Sequence, residues 1–163
     1  METPELFGAR ELSFLRALID EGVEFMLVDS SAAALQGAPI VTQGVDLWFE
    51  DLRNRSGLDR ALRWVGGTYL PPDGSRPPMI VGGGMDLFDI VEHMQGLEGF
   101  SQERQRAVII DLGGVEVPVL PLDRIIVSRE ATGGERDLLV LPVLRDALIT
   151  LNNEAARKGR ADG

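Results

Sequence analysis

The chain has 163 residues, 44% apolar and 26% charged, which fits one soluble globular domain with a real core and needs no multi-domain reading. The absence of cysteine excludes disulfides and thiolate metal sites and suits a reducing cytoplasm, and no segment nears the ~20 uninterrupted apolar residues of a membrane helix. A net charge of −10 repels nucleic acid and favours a basic protein partner or a small molecule.

The acidic start Met1-Glu2-Thr3-Pro4-Glu5 is unlike a signal peptide, and its Thr-Pro-Glu reads as a helix start. Leu12, Leu15, Leu18 and Ile19 then form one apolar stripe ending at Gly22, which predicts the first helix. Val23 to Val28 reads as a short strand, and the Ala-rich run Ser30 to Leu35 as a short helix closed by Gly37 and Pro39. Val45 to Glu50 is a second strand, Leu58 to Val65 a helix stopped by Gly66-Gly67, and Met85 to Val91 a third strand. The intervening Pro71 to Pro78 holds four prolines, a glycine and a serine and is a loop. The arginine pairs 53/55, 60/63 and 104/106 are too short for a basic patch and read as solvated faces. Ala107 to Leu112 and Val115 to Leu120 flank Gly113-Gly114, a hairpin signal, with Pro118 implying an edge position because it lacks an N–H. Leu122 to Ala131 and Arg136 to Leu151 carry helical spacing, interrupted by Gly133-Gly134 and Pro142. The expected architecture is α/β, a small mixed β-sheet flanked by helices in a single domain over residues 1–154, with a frayed, disordered tail over 155–163.

The chemistry centres on Thr42-Gln43-Gly44-Val45-Asp46-Leu47. Residues two apart on a strand point to one face, so acids at 44 and 46 would converge on a metal pair; this chain offers only Asp46. Glu50 shares that face, but four residues at ~3.3 Å each put it roughly 13 Å off, beyond the ~4 Å of a two-metal site. By alternation Asp89 falls on the opposite face from Asp86 and is expected to be exposed. His93, the one histidine, has no serine or cysteine placed to make a triad and reads as a surface residue. Gly82-Gly83-Gly84 reads as a flexible loop, since no strand-loop-helix context makes it a phosphate cradle. Trp48 and Trp64 read as core or partly buried aromatics.

The segment Val28-Asp29-Ser30-Ser31-Ala32-Ala33-Ala34-Leu35-Gln36-Gly37, followed by Thr42 to Leu47, resembles the minimal nucleotidyltransferase superfamily, including its AbiEii-like and antitoxin members. Met85-Asp86-Leu87 resembles the strand that carries the family's third aspartate, and Leu122 to Asp137 resembles its C-terminal helical signature. The resemblance implies a nucleotidyltransferase-like fold in which Asp46 and Asp86 are the catalytic carboxylates holding Mg²⁺, which activates a hydroxyl and neutralises the pyrophosphate leaving group. It places a nucleoside triphosphate against Asp29, Ser30, Ser31 and Thr42.

Set against that pattern, Gly44 stands at the first carboxylate position, Asp29-Ser30 replaces the glycine-rich pair, and Ile40 stands where the family tends to have Arg. Each departure falls on a part that touches phosphate or metal. As a helix N-cap, Asp29 would take the N–H groups a phosphate uses and would repel it by about 4 kcal/mol at ~4 Å and an effective dielectric of ~20. The alternative is that Asp29 replaces the lost metal ligand while the Ser30 and Ser31 hydroxyls hold phosphate. The expected function is therefore a nucleotidyltransferase-like protein with a degenerate active site, catalytically impaired and acting as a binding or antitoxin-like module of a toxin-antitoxin pair. The alternatives are an active Mg²⁺-dependent enzyme moving a nucleoside monophosphate to a hydroxyl of a small molecule or protein, and a nucleotide sensor.

Overall fold

The computed structural model describes residues 7–161, so the helix start expected at Thr3-Pro4-Glu5 lies outside the described residues. Helix α1 (Ala9–Asp20) buries Phe14, Leu15, Ala17 and Leu18, spaced to share one helical face. Ile19 falls off that face and is 39% exposed. Strand β1 (Phe25–Val28), buried throughout, runs directly into α2 (Asp29–Leu35). There follow β2 (Val45–Phe49), α3 (Ser56–Val65), β3 (Thr68–Leu70), β4 (Met79–Val81), β5 (Phe88–Val91) and α4 (Phe100–Arg106). The chain closes with β6 (Val108–Asp111), β7 (Glu116–Val119), α5 (Leu122–Thr132) and α6 (Glu135–Ala161).

The main sheet has the order β5-β2-β1-β7-β6, with β1–β2 and β6–β7 antiparallel and β2–β5 and β1–β7 parallel. This is the mixed α/β sheet expected from the sequence. Helix α1 packs on α3, α2 packs on β1, β2 and α5, and α5 packs on α6. Phe14, Met26, Leu27, Leu47, Leu62, Leu120 and Leu122 are fully buried where these layers meet. Among the described residues no helix is long and apolar enough to cross a membrane.

Several elements depart from the sequence expectation for identifiable reasons. The Pro71 to Pro78 loop joins β3 to β4 as a hairpin, pinned by a bridge between Asp73 and Arg76. Helix α4 has almost no apolar pattern to announce it. Its Glu103 is fully buried and accepts two hydrogen bonds from Arg124 on α5, at 2.9 and 2.7 Å, and Phe100 stands edge-on to Trp48 at 5.5 Å. Trp48 is buried as expected, whereas Trp64 is 79% exposed on α3. Pro118 is not on an edge, since β7 lies between β1 and β6. Its tolerance there follows from the shortness of the β1–β7 pairing, confined to the register Leu27↔Val119 and the bond from Leu120 N–H to the Leu27 carbonyl. By alternation a donor at 118 would face that same side, where the ladder has already ended. Helix α6 continues for 27 residues to Ala161, through Pro142 and across the stretch expected to fray from Ala155.

The Gly82-Gly83-Gly84 segment is a fitted turn rather than a flexible one. All three residues take positive φ, of 77°, 65° and 75°. Arg10 donates to the Gly83 carbonyl at 2.7 Å. A Cβ at Gly83 would collide with the backbone carbonyl of Val65. Gly83→Ala combines left-handed strain with that collision and is expected to cost about 2 kcal/mol or more in chemical denaturation. Gly159→Ala on α6, with nothing within 4 Å, is expected to leave stability within about 1 kcal/mol. Equal effects of the two changes would contradict this account of the turn.

Candidate functional site

Because β1 passes into α2 with no intervening loop, Asp29 has to turn the chain, and it does so at φ 61°, the one non-glycine positive φ among the described residues. A left-handed residue with a side chain costs roughly 1–2 kcal/mol, least for Asp and Asn. Asp29 is not the N-cap expected from the sequence: that position is Val28, and no side chain caps the helix. The Asp29 carboxylate instead pairs with Arg129 of α5, Oδ1 to Nη2 at 2.5 Å. The same nitrogen donates to Ser30 Oγ at 3.0 Å, while Nη1 donates to Asp137 of α6 at 2.7 Å. Asp137 accepts the Gly134 N–H at 3.0 Å with its other oxygen, and its hydrogen bond to Arg129 holds it below the usual carboxylate range. Arg129 thus ties α2 to α5 and to the first turn of α6.

Asp46 stands one register step from this network. On β2 it pairs with Val28 on one side and with Asp89 of β5 on the other. Burial, reinforced by the charges of Asp29 and Asp89 and opposed by Arg129, pushes its carboxyl up to about 6. Ser30, Val41, Thr42, Gly44, Asp46, Asp89 and Arg136 line a half-open cavity of about 460 Å³ at this place. Thr42 donates its hydroxyl to the Gly44 carbonyl at 2.8 Å, fixing the entry to β2. A Cβ on Gly44 would lie 3.2 Å from Asp89 Oδ2 and from the Leu87 carbonyl, so a carboxylate there would crowd Asp89.

The structure brings together only part of the predicted set. Asp46, Ser30 and Thr42 line the cavity. Asp86 does not: β5 begins at Phe88, and Asp86 sits exposed in the turn before it, where Phe88 N–H bonds to the Met85 carbonyl. Asp89, expected on the face opposite Asp86 and exposed, is exposed, and it is the carboxylate in register with Asp46. Alternation of the buried Phe88 with an exposed acid was the signal that would have chosen it. Ser31 is buried and turned to the Val28 carbonyl at 3.3 Å, away from the cavity. Ile40 packs against the core. Glu50 lines a separate 320 Å³ cavity at the far end of β2, and His93 is exposed. Arg129 and Arg136 went unnoticed in the sequence as site residues; Arg136 enters no ion pair among the described residues and is the free cation of the cavity wall.

The resemblance implies a two-ion centre with carboxylates from three positions, where each Mg²⁺ would also take substrate phosphate oxygens. Among the described residues no group of three His, Cys, Asp or Glu side chains is placed to hold a metal ion. Asp46 and Asp89 supply two carboxylates and Gly44 supplies none, so the donor set falls one short of that three-carboxylate pattern.

The mixed sheet, the helix springing from β1 and the acid on the neighbouring β2 define a nucleotidyltransferase-like fold. The chain is similar to the antibiotic-resistance factor ANT(2″)-Ia, solved in complex with adenylyl-2″-tobramycin, with a TM-score of 0.55 and 14% identity over 91% of this chain and 95% of that one. A solution structure of ANT(2″)-Ia matches with a TM-score of 0.53 and 11% identity over 95% and 96% of the two chains. An antigenic nucleotidyltransferase-like protein from Paracoccidioides brasiliensis matches with a TM-score of 0.50 and 13% identity over 98% and 93%. At such identities the likeness establishes the fold alone. No protein-family model matches the sequence, and no curated protein matches it.

The position of Asp46 has a measurable consequence. A carboxyl lifted from 3.8 to about 6 in the folded protein adds stability at low pH that is lost as pH rises through about 6. Replacing it by Asn removes that term, so the stability of Asp46→Asn relative to the parent is expected to rise from about pH 4 to about pH 7. A difference that stays constant across that range in urea titrations would contradict the assignment.

Proposed function

We propose that this is a nucleotidyltransferase-fold protein whose catalytic centre is impaired, used as a binding module of the antitoxin-like kind rather than as an efficient transferase. The observation that carries this reading is the wall formed by Gly44, Asp46 and Asp89: two carboxylates, one raised to about 6, and no third donor in reach. Two carboxylates are a short donor set for an ion pair, and without cations a triphosphate meets the negative charge of Asp46 and Asp89. The net charge of −10 supports a basic protein as the partner. The AbiEii-like character belongs to this proposal and rests on the resemblance of residues 28–47 and 122–137.

One observation favours a second reading, an active transferase moving a nucleoside monophosphate from a nucleoside triphosphate to a hydroxyl. Asp89 in register with Asp46 supplies the second carboxylate from the neighbouring strand. Metal-dependent triphosphate turnover is its mark, and a nucleotide sensor would show binding without turnover.

Calorimetry of Mg²⁺-ATP on the parent and on the Gly44→Asp/Asp29→Gly double variant separates these readings. The parent is expected to bind weakly or not at all, and the double variant at least about tenfold more tightly, the equivalent of ~1.4 kcal/mol. A low-micromolar dissociation constant for the parent, or equal affinity of the two proteins, would end the impaired reading.

A further inference from the structure

Arg129 makes two different kinds of ion pair. Asp137 is a fixed partner: its side chain is 8% exposed, and its second oxygen is held by the Gly134 N–H. Asp29 is a conditional one. Its side chain is 34% exposed, it sits on a residue with φ 61°, and among the described residues its carboxylate takes no hydrogen bond from any group but Arg129. The nitrogen that Asp29 occupies, Nη2, is also the one bonded to Ser30 Oγ, and Ser30 lines the 460 Å³ cavity. Arg129 stands behind Ser30 rather than on the lining itself, so releasing Asp29 would free a guanidinium edge directly beside the Ser30 hydroxyl that faces the cavity. The Thr42 hydroxyl and Arg136, which has no ion-pair partner among the described residues, lie on the same lining.

We propose that Asp29 is an intramolecular competitor that masks Arg129, and that Arg129, Ser30 and Arg136 form a latent site for a phosphate-type anion. The inference rests on the impaired reading only in taking this cavity as the functional one. The planar fork of a guanidinium matches paired phosphate oxygens, and the carboxylate of Asp29 is the smaller anion already in that place. The contact therefore works as autoinhibition: an anion gains access only by displacing a tethered carboxylate. The charges facing the entering anion are Asp46 and Asp89 from β2 and β5, so the unmasked site is expected to bind more tightly below the pH at which Asp46 ionises.

The test is metal-free titration with inorganic pyrophosphate of the parent, Asp29→Asn, and Asp29→Asn with Arg129→Lys. Asn tolerates the left-handed backbone and removes only the charge, while Lys keeps the charge of Arg129 and removes its fork. Asp29→Asn is expected to bind about tenfold more tightly than the parent, the worth of one charge-assisted hydrogen bond, and the added Arg129→Lys to cancel most of the gain. ATP run beside pyrophosphate tells a polyphosphate site, with equal affinities, from one that also takes the nucleoside, with ATP the tighter; either agrees with the proposal. A folded Asp29→Asn protein with the parent's affinity overturns it, as does a gain that survives Arg129→Lys. Tight Mg²⁺-ATP binding by the parent would defeat the impaired reading while leaving the pyrophosphate comparison to decide the masking.

Discussion

The hydrogen bonds of Arg129 are the constraint on which the geometry of the site depends. One guanidinium reaches Asp29 and Ser30 at the start of α2 and Asp137 in the first turn of α6. The start of α2 is far from α5 and α6 in sequence, and at the other end of α2 Gln36 adds a neutral tie, donating to the Leu120 carbonyl and accepting the Leu122 N–H, each at 2.9 Å. The two carboxylates compensate the charge of this half-buried cation, whose Nε is left without a hydrogen-bond partner among the described residues, and removing one carboxylate would leave charge uncompensated in low dielectric. The left-handed turn at Asp29 persists because this network over-determines it.

The same arrangement sets the electrostatics of the cavity. Asp29 is paired with Arg129 from the α5 side, yet its charge still bears on Asp46. Asp46 has no such partner. It is pinned between Val28 and Asp89 by the sheet register, and its burial is offset by no donor among the hydrogen bonds of the described residues.

Much of the architecture was legible from the sequence because strong local signals agreed with the tertiary fold. Gly113-Gly114 between two apolar runs marked the β6–β7 hairpin, and Gly66 closed α3 in the left-handed conformation. What was not legible depended on partners distant in the chain. Helix α4 is a polar segment stabilised by Glu103 meeting Arg124, and no periodicity announces such a contact. Pro118 is tolerated in an interior strand only because the β1–β7 ladder is short. In the site, Gly44 and Asp46 were found because strand alternation is local, whereas the choice between Asp86 and Asp89 turned on where β5 begins. That start is set by the turn in which Phe88 N–H bonds to the Met85 carbonyl, which delays the strand to Phe88. Arg129 lay in a segment recognised as a helical signature, but its role requires α2 and α6 to be in place.

The central claim is that the wall of Gly44, Asp46 and Asp89 is short of ligands for divalent cations. Electron paramagnetic resonance of Mn²⁺ titrated into the unmodified protein near neutral pH measures this without nucleotide or partner. The account predicts free Mn²⁺ signal throughout, with no stoichiometric site tighter than about 1 mM. Loss of the free signal for one or two equivalents at micromolar Mn²⁺ would contradict it.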